Sequence, residues 1–382
     1  MKDLKNAIIY QILIDRFSGF KSKVNSRDFV GGNLKGIVTK LDYLADLGIN
    51  TLWLSPFYQT HQYHGYHITD FRKIDPHFGT PDDLRELIDQ AHKKKMKVIA
   101  DFVPNHCSVY HPFFQEAQKQ KESKYYRWFY FKKWPDNYLC FLDYKEIPKI
   151  NLDFPEAREY MTETAKYWLS SGIDGLRIDH VIGPSHDFWQ YFYKKIKSIF
   201  PKAFLFGEVW AQGIKFRHYK TLEFRHKLKR MLFGISQEKL QQEYCEVMDG
   251  LLDFKLQGMI VKAVKRGKSI SGNRQLKKQI GRHISKYPED FKLVQFLDNH
   301  DMDRFMRHCK GDNAILLEAL KLLSELNYPL VIYYDTENGV YNKEPVNVNV
   351  PFSDLNVREP FDWDKRNEIL YNKIKRLFNQ TG

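Results

Sequence analysis

Arg177 and Asp179 stand two residues apart in the apolar run "GIDGLRIDHV", 172–181. Side chains alternate along a strand, so the two point to one side. A structural ion pair would explain them, and so would the charged floor of an active site. Three other short apolar runs also end in polar clusters. "DFVPNH" carries Asp101, Asn105 and His106, "FGEVW" carries Glu208 and Trp210, and "FLDNHD" carries Asp298, His300 and Asp301. Several carboxylates gathered at one place repel one another, and a fold does not assemble that for stability. Glycoside hydrolysis needs such a set: one carboxylate ionised, another protonated, on either side of the scissile bond. Arg177 favours the charged form of Asp179 and suits it to the nucleophile's part. Glu208 follows the apolar stretch "AFLFG", and carboxylate neighbours favour its acid form. Asp301 would stabilise positive charge developing on a sugar ring.

Placing these residues together requires a scaffold that brings strand ends to one rim. Strand patterns fall at 7–15, 49–54, 97–103, 174–179, 203–208, 247–254, 293–298 and 329–334. Amphipathic helix patterns separate them, among them 36–47, 81–95, 155–171, 185–199 and 313–326. This alternation predicts parallel βαβ units, and eight of them predict a closed (β/α)8 TIM barrel, which presents its chemistry at the C-terminal strand ends. An open doubly wound sheet is the alternative, but no GxGxxG loop follows the first strand. Residues 107–150, rich in Tyr, Phe, Trp and Lys, are too long for a simple loop and read as a small inserted subdomain. The barrel then comprises 1–106 and 151–382. After 334 the chain is irregular and ends in one helix, 364–378, with too few residues for a C-terminal β-sandwich domain.

The chain has 382 residues, 43% hydrophobic and 15% aromatic, with a net charge of +13. The excess Lys is scattered over helix-like segments such as 91–97, 192–197 and 261–286, which reads as a solvated basic surface. No helix-turn-helix, zinc-finger or RNA-binding signature points to nucleic acid. Four cysteines without a CxxC pair read as free thiols in a reducing compartment. The apolar stretch near the N-terminus is too short for a membrane span and lacks a cleavage site, so a cytoplasmic protein is expected. Oligomeric state is not readable.

The segments "IIYQILIDRF", "GYHITDF", "DFVPNH", "GLRIDH", "GEVW", "FLDNHD" and "REPFDW", in this order, resemble glycoside hydrolase family 13, the α-amylase family. "IPKIN" at 147–151 and "GEVW" are similar to its neopullulanase and cyclomaltodextrinase group. The resemblance implies Asp179 as nucleophile, Glu208 as general acid/base and Asp301 as transition-state stabiliser. It implies Arg177, His106 and His300 as sugar contacts and Tyr66 as a stacking platform. Taken singly, His106 and Tyr66 read as core, and their motifs turn the reading toward sugar contacts. Trp210 is either packing or a sugar contact, and Arg304 either an ion pair or a subsite residue. Asp101 and Asp298 read as supports. The implied activity is a retaining hydrolase of maltooligosaccharides or cyclodextrins, or alternatively an α-glucanotransferase using the same covalent intermediate. No cofactor is expected for the chemistry. The family's structural calcium stays open, because Ile182 and Gly183 stand where Lys-His is usual and one usual ligand is thereby missing. His67 replaces a common Asp, and "YYDTENG" replaces the usual turn after the eighth strand.

Overall fold

A computed structural model describes residues 6–20, 25–210, 236–347 and 350–379. Eight parallel strands close a barrel. They are β1 (Ile8–Ile12), β2 (Thr51–Leu54), β3 (Lys97–Phe102), β4 (Gly175–Ile178), β5 (Phe204–Gly207), β6 (Gly250–Leu252), β7 (Lys292–Phe296) and β8 (Leu330–Tyr333). Around the barrel they run in chain order, and β8 closes on β1 with Ile8 opposite Leu330. Nearly every strand residue is buried, as expected of parallel strands covered on both faces. That is why the runs read "IIYQI", "FLFG" and "LVIY" rather than alternating with polar residues.

All eight strands fall inside the sequence-predicted ranges or within one residue of them, but several are shorter. Residues 13–15 leave β1, and Ile14–Phe17 form a helical turn. The helix expected over 36–47 is two, Leu34–Val38 and Leu41–Leu47. Other helices start where capping chemistry puts them. Thr80 accepts from the Asp83 amide while the Asp83 carboxylate accepts from the Thr80 amide, ahead of Pro81–Lys93. Ser185 caps His186–Ile199, and Asp253 caps Phe254–Lys265.

The chain divides into two compact units, one of residues 1–55, 77–99 and 250–382, the other of 56–76 and 100–249. Within the second, residues 107–150 form the helix Pro112–Lys119, a 3-10 turn at Tyr126–Trp128 and a ribbon pairing Phe131–Lys133 with Asn137–Tyr138. Aromatic rings hold this segment together: Phe114 packs on Phe129 and Tyr138, and Phe113 stacks on Tyr125 at 4.0 Å. Backbone bridges tie His106 to Lys149 and Phe129 to Ile150. In the first unit, the described residues after β8 form two 3-10 turns and the helix Glu368–Asn379. Among the described residues no helix is long and apolar enough to cross a membrane.

The first unit also buries a carboxyl. Glu337 Oε1 accepts from the hydroxyls of Tyr10, on β1, and Tyr43, at 2.7 and 2.8 Å. Burial, reinforced by the nearby Asp335, pushes this carboxyl from 4.5 up to about 7. The folded state therefore holds the proton more tightly than the unfolded chain. This carboxyl's stabilising contribution is complete below about pH 4.5 and is lost as pH rises toward 7. Glu337→Gln keeps both tyrosine contacts and removes the ionisation. The variant should match the parent near pH 4 and exceed it at pH 8 by on the order of 3 kcal/mol in urea unfolding. Parallel stability–pH curves for the two proteins would refute this.

Candidate active site

Arg177 lies in the middle of a buried carboxylate cluster in the second unit. Its Nη1 donates to Asp101 Oδ1 and Oδ2 at 2.8 and 3.0 Å and to Asp179 Oδ1 at 3.0 Å. Its Nη2 donates to Glu208 Oε2 at 2.6 Å. Arg177 and Asp101 are fully buried, and Asp179 and Glu208 are 7% and 8% exposed. Strand geometry sets this up. Arg177 and Asp179 share a side because they are two apart on and just past β4, while Asp101 belongs to β3 and Glu208 follows β5 directly. The backbone continues the pairing past the strands: Asp179 N donates to Phe102 O, Glu208 N to Ile178 O and Val181 N to Glu208 O. To make that last contact the chain turns at His180, which adopts a left-handed φ of 44°. A non-glycine residue held there carries strain of about 1–3 kcal/mol.

Arg177 is thus not a private partner of Asp179, as its spacing in the sequence suggests. Three carboxylates share it, and Asp101 takes both of its oxygens to one nitrogen. Tyr66 joins the same network, donating from its hydroxyl to Asp101 Oδ2 at 2.9 Å. The turn that delivers Tyr66 requires Gly65, whose φ is 85° and whose Cβ would meet Pro56 O at 2.0 Å.

His106 is buried, with its Nδ1 3.2 Å from Asn105 Nδ2 and its ring 4.8 Å from Phe141. Burial, with His67 and Lys149 nearby, lowers its pKa to about 3, so the ring is neutral. Lys149 is itself buried, and its ammonium donates to the Gly183 carbonyl. Desolvation pulls that lysine down to about 7. Gly183 abuts Asn105 so tightly that a Cβ would lie 2.0 Å from Asn105 Oδ1. No side chain fits at 183 while Asn105 keeps this position. Among the described residues, no group of three or more His, Cys, Asp or Glu is arranged to hold a metal ion. Trp210 is half-buried after β5.

In the first unit, Asp301 is bracketed by two cationic or polar partners. Arg358 Nη2 donates to Oδ1 at 2.8 Å, and His300 Nε2 lies 3.1 Å from Oδ2. Gln11, on β1, places its Nε2 2.7 Å from His300 Nδ1. With the amide so oriented, Nδ1 accepts and Nε2 carries the proton toward Asp301. Arg304, read from the sequence as either an ion pair or a subsite residue, bonds backbone carbonyls. It is buried, donates to Tyr334 O at 2.6 Å and Val357 O at 3.2 Å, and lies over the Tyr333 ring at 3.9 Å. Its donors hold backbone just after β8 and at the end of the 3-10 turn Ser353–Val357. Asp298 likewise serves the fold, accepting from the Phe305 amide at 2.6 Å. Gln11 and Arg358 were missed. A lone Gln in "IIYQIL" was a usable signal, whereas Arg358 lies in "REPFDW" with no pattern of its own.

Residues 11–380 match the model of the alpha-amylase catalytic domain. The chain is 36% identical over 380 residues to alpha-amylase 2 of Dictyoglomus thermophilum, covering 98% of this chain and 62% of the relative. It is 30% identical to a cyclomaltodextrinase of Thermoanaerobacter pseudethanolicus, covering 98% and 63%. The type III pullulan hydrolase from Thermococcus kodakarensis superimposes with a TM-score of 0.81 at 29% identity, over 99% of this chain and 69% of that one. The chain thus spans less than two thirds of the length of these two sequence relatives.

Arg177 makes buried carboxylates tolerable, so its loss leaves their charges uncompensated. Arg177→Met should lower the unfolding free energy by about 3–5 kcal/mol in denaturant titration. A loss below about 1 kcal/mol, the size expected of an exposed pair, would show that the cluster does not need its cation.

Proposed function

Since the chain belongs to the alpha-amylase catalytic-domain family, we propose that it is a retaining α-glucan hydrolase acting on maltooligosaccharides or cyclodextrins. The observation that carries this reading is the sharing of Arg177 by Asp179 and Glu208, one on each terminal nitrogen. Two carboxylates bonded to one guanidinium are near neighbours. Retention calls for a separation of about 5–5.5 Å, whereas inversion needs about 6.5–9.5 Å to admit a water.

Asp179 attacks the anomeric carbon while Glu208 protonates the departing oxygen, and a glycosyl ester forms on Asp179. Glu208, now ionised, takes a proton from water, which attacks the same carbon and releases Asp179. Two inversions return the α configuration. Arg177 keeps the nucleophile charged. For Glu208 to act as acid, bound substrate must take its carboxyl from Nη2. Neutral His106, the Tyr66 ring, His300 and Trp210 are assigned to the sugar in the cleavage subsite. Asp301 is assigned to the positive charge that develops on the ring carbon and oxygen. A sugar in place of water at the second step gives the glucanotransferase alternative.

The chemistry calls for no cofactor. Calcium does not fit the residues where the family's site would be, because the Lys149 ammonium already occupies the Gly183 carbonyl. A hard cation needs about six oxygens, and the lysine already takes one that the site would offer, its charge adding repulsion below about pH 7. The four cysteines, none of them in a CxxC pair, suit the expected reducing compartment.

Asp179→Asn, Glu208→Gln and Asp301→Asn should each lower turnover of maltotriose or β-cyclodextrin by at least about 10²-fold, with unchanged circular dichroism. Near-parental turnover in any one of them would remove that residue from the mechanism. Proton NMR of the first product should show the α anomer, and β product would exclude retention. Chromatography at high donor concentration separates the two acceptors, since glucosyl transfer makes chains longer than the donor. EDTA dialysis should leave both Tm and activity unchanged, and loss of either that calcium restores would defeat the calcium-independent reading.

A further inference from the structure

Arg358 follows the 3-10 turn Ser353–Val357 directly and is buried. Its guanidinium divides three ways. Nη2 donates to Asp301 Oδ1 at 2.8 Å, Nε donates to the His300 carbonyl at 2.9 Å, and Nη1 pairs with Asp354 Oδ2 at 2.5 Å. One rigid fork therefore grips both the Asp301 carboxylate and the backbone carbonyl just before it. A lysine could offer the charge but not this fixed pair of directions. Asp354 holds the far side of the fork, so the turn itself sets the arginine's angle.

The exposures run in opposite directions. Asp301's side chain is 32% exposed, whereas that of Arg358 is 7% exposed. An open carboxylate is steered by a buried cation, and its second oxygen is held by His300, which is in turn held by Gln11. A bridge serving stability alone has no need to hold both oxygens of a half-open carboxylate, since exposed pairs contribute little.

We propose that Arg358 is a positioning residue for Asp301, keeping its carboxylate aimed, so that the chemical step depends on the Ser353–Val357 turn. The proposal rests on the reading of Asp301 as transition-state stabiliser. Arg358 acts through Asp301, so its removal weakens an interaction made in the transition state and lowers kcat rather than raising KM.

The test uses the full chain and maltotriose, with Arg358→Gln, Arg358→Lys, Asp301→Asn and the double variant Asp301→Asn/Arg358→Gln. Arg358→Gln should lower kcat by about 10–100-fold, the value of a lost charge-assisted hydrogen bond, with KM nearly unchanged. Arg358→Lys should recover part of the loss. The double variant should be no slower than Asp301→Asn alone, because two residues acting as a unit are not additive. Should Arg358→Gln not fold, Asp354→Asn provides a milder route: it frees the fork and should lower kcat in the same direction by a smaller factor. Arg358→Gln that lowers Tm but keeps kcat, or a double variant whose losses multiply, overturns the positioning role. Parental turnover in Asp301→Asn overturns the premise instead, and that outcome is read from the single variant without reference to Arg358.

Discussion

One guanidinium sustains three buried carboxylates. Asp101, Asp179 and Glu208 all bond Arg177, and none of the four is more than 8% exposed. Burying this many like charges without a cation would cost several kcal/mol for each ion. With the arginine present, and Glu208 protonated as the general acid, the cluster still carries an excess of one negative charge. On the proposed chemistry that excess is useful. A sugar ring acquiring positive charge enters a field already arranged for it, and the protein need not reorganise as the bond breaks. The closed barrel and the helix caps serve this arrangement by fixing where three strands end.

The two roles a carboxylate can take, structural and chemical, are separated here by what else touches it. Asp101 gives both oxygens to Arg177 and also accepts from Tyr66, so its capacity is spent inside the protein. Asp298 spends its own on the Phe305 amide. Asp301 keeps a third of its side-chain surface open although both oxygens have partners. Identity as Asp decides none of this.

Much of the fold was legible because the barrel imposes a rhythm that survives in one chain. Short apolar runs and long amphipathic stretches marked strands and helices within a few residues. Boundaries were less legible. The split at residues 39–40 and the early end of β1 at Ile12 depend on tertiary packing, which no window of sequence contains. For the site, Arg177, Asp179 and Glu208 were readable from strand ends, and their sharing of one cation was not. The carbonyls that Arg304 bonds were not readable, because spacing near Asp301 says nothing about which of them lie within reach. Arg358 lies 57 residues beyond Asp301, and no local pattern spans that gap.

The contact between Gly183 and Asn105 also constrains how the sequence can change. A side chain at 183 would collide with the Asn105 amide, whose own neighbour is His106. Position 183 therefore opens only after residue 105 becomes smaller or turns away. Moving Asn105 first removes a polar contact of His106 and leaves the Gly183 surface uncovered. The two positions form an ordered pair in which one route passes through a tolerable intermediate and the other through a clash. A library that varies them singly would score position 183 as immutable, and only joint variation would reveal the combinations the barrel rim accepts.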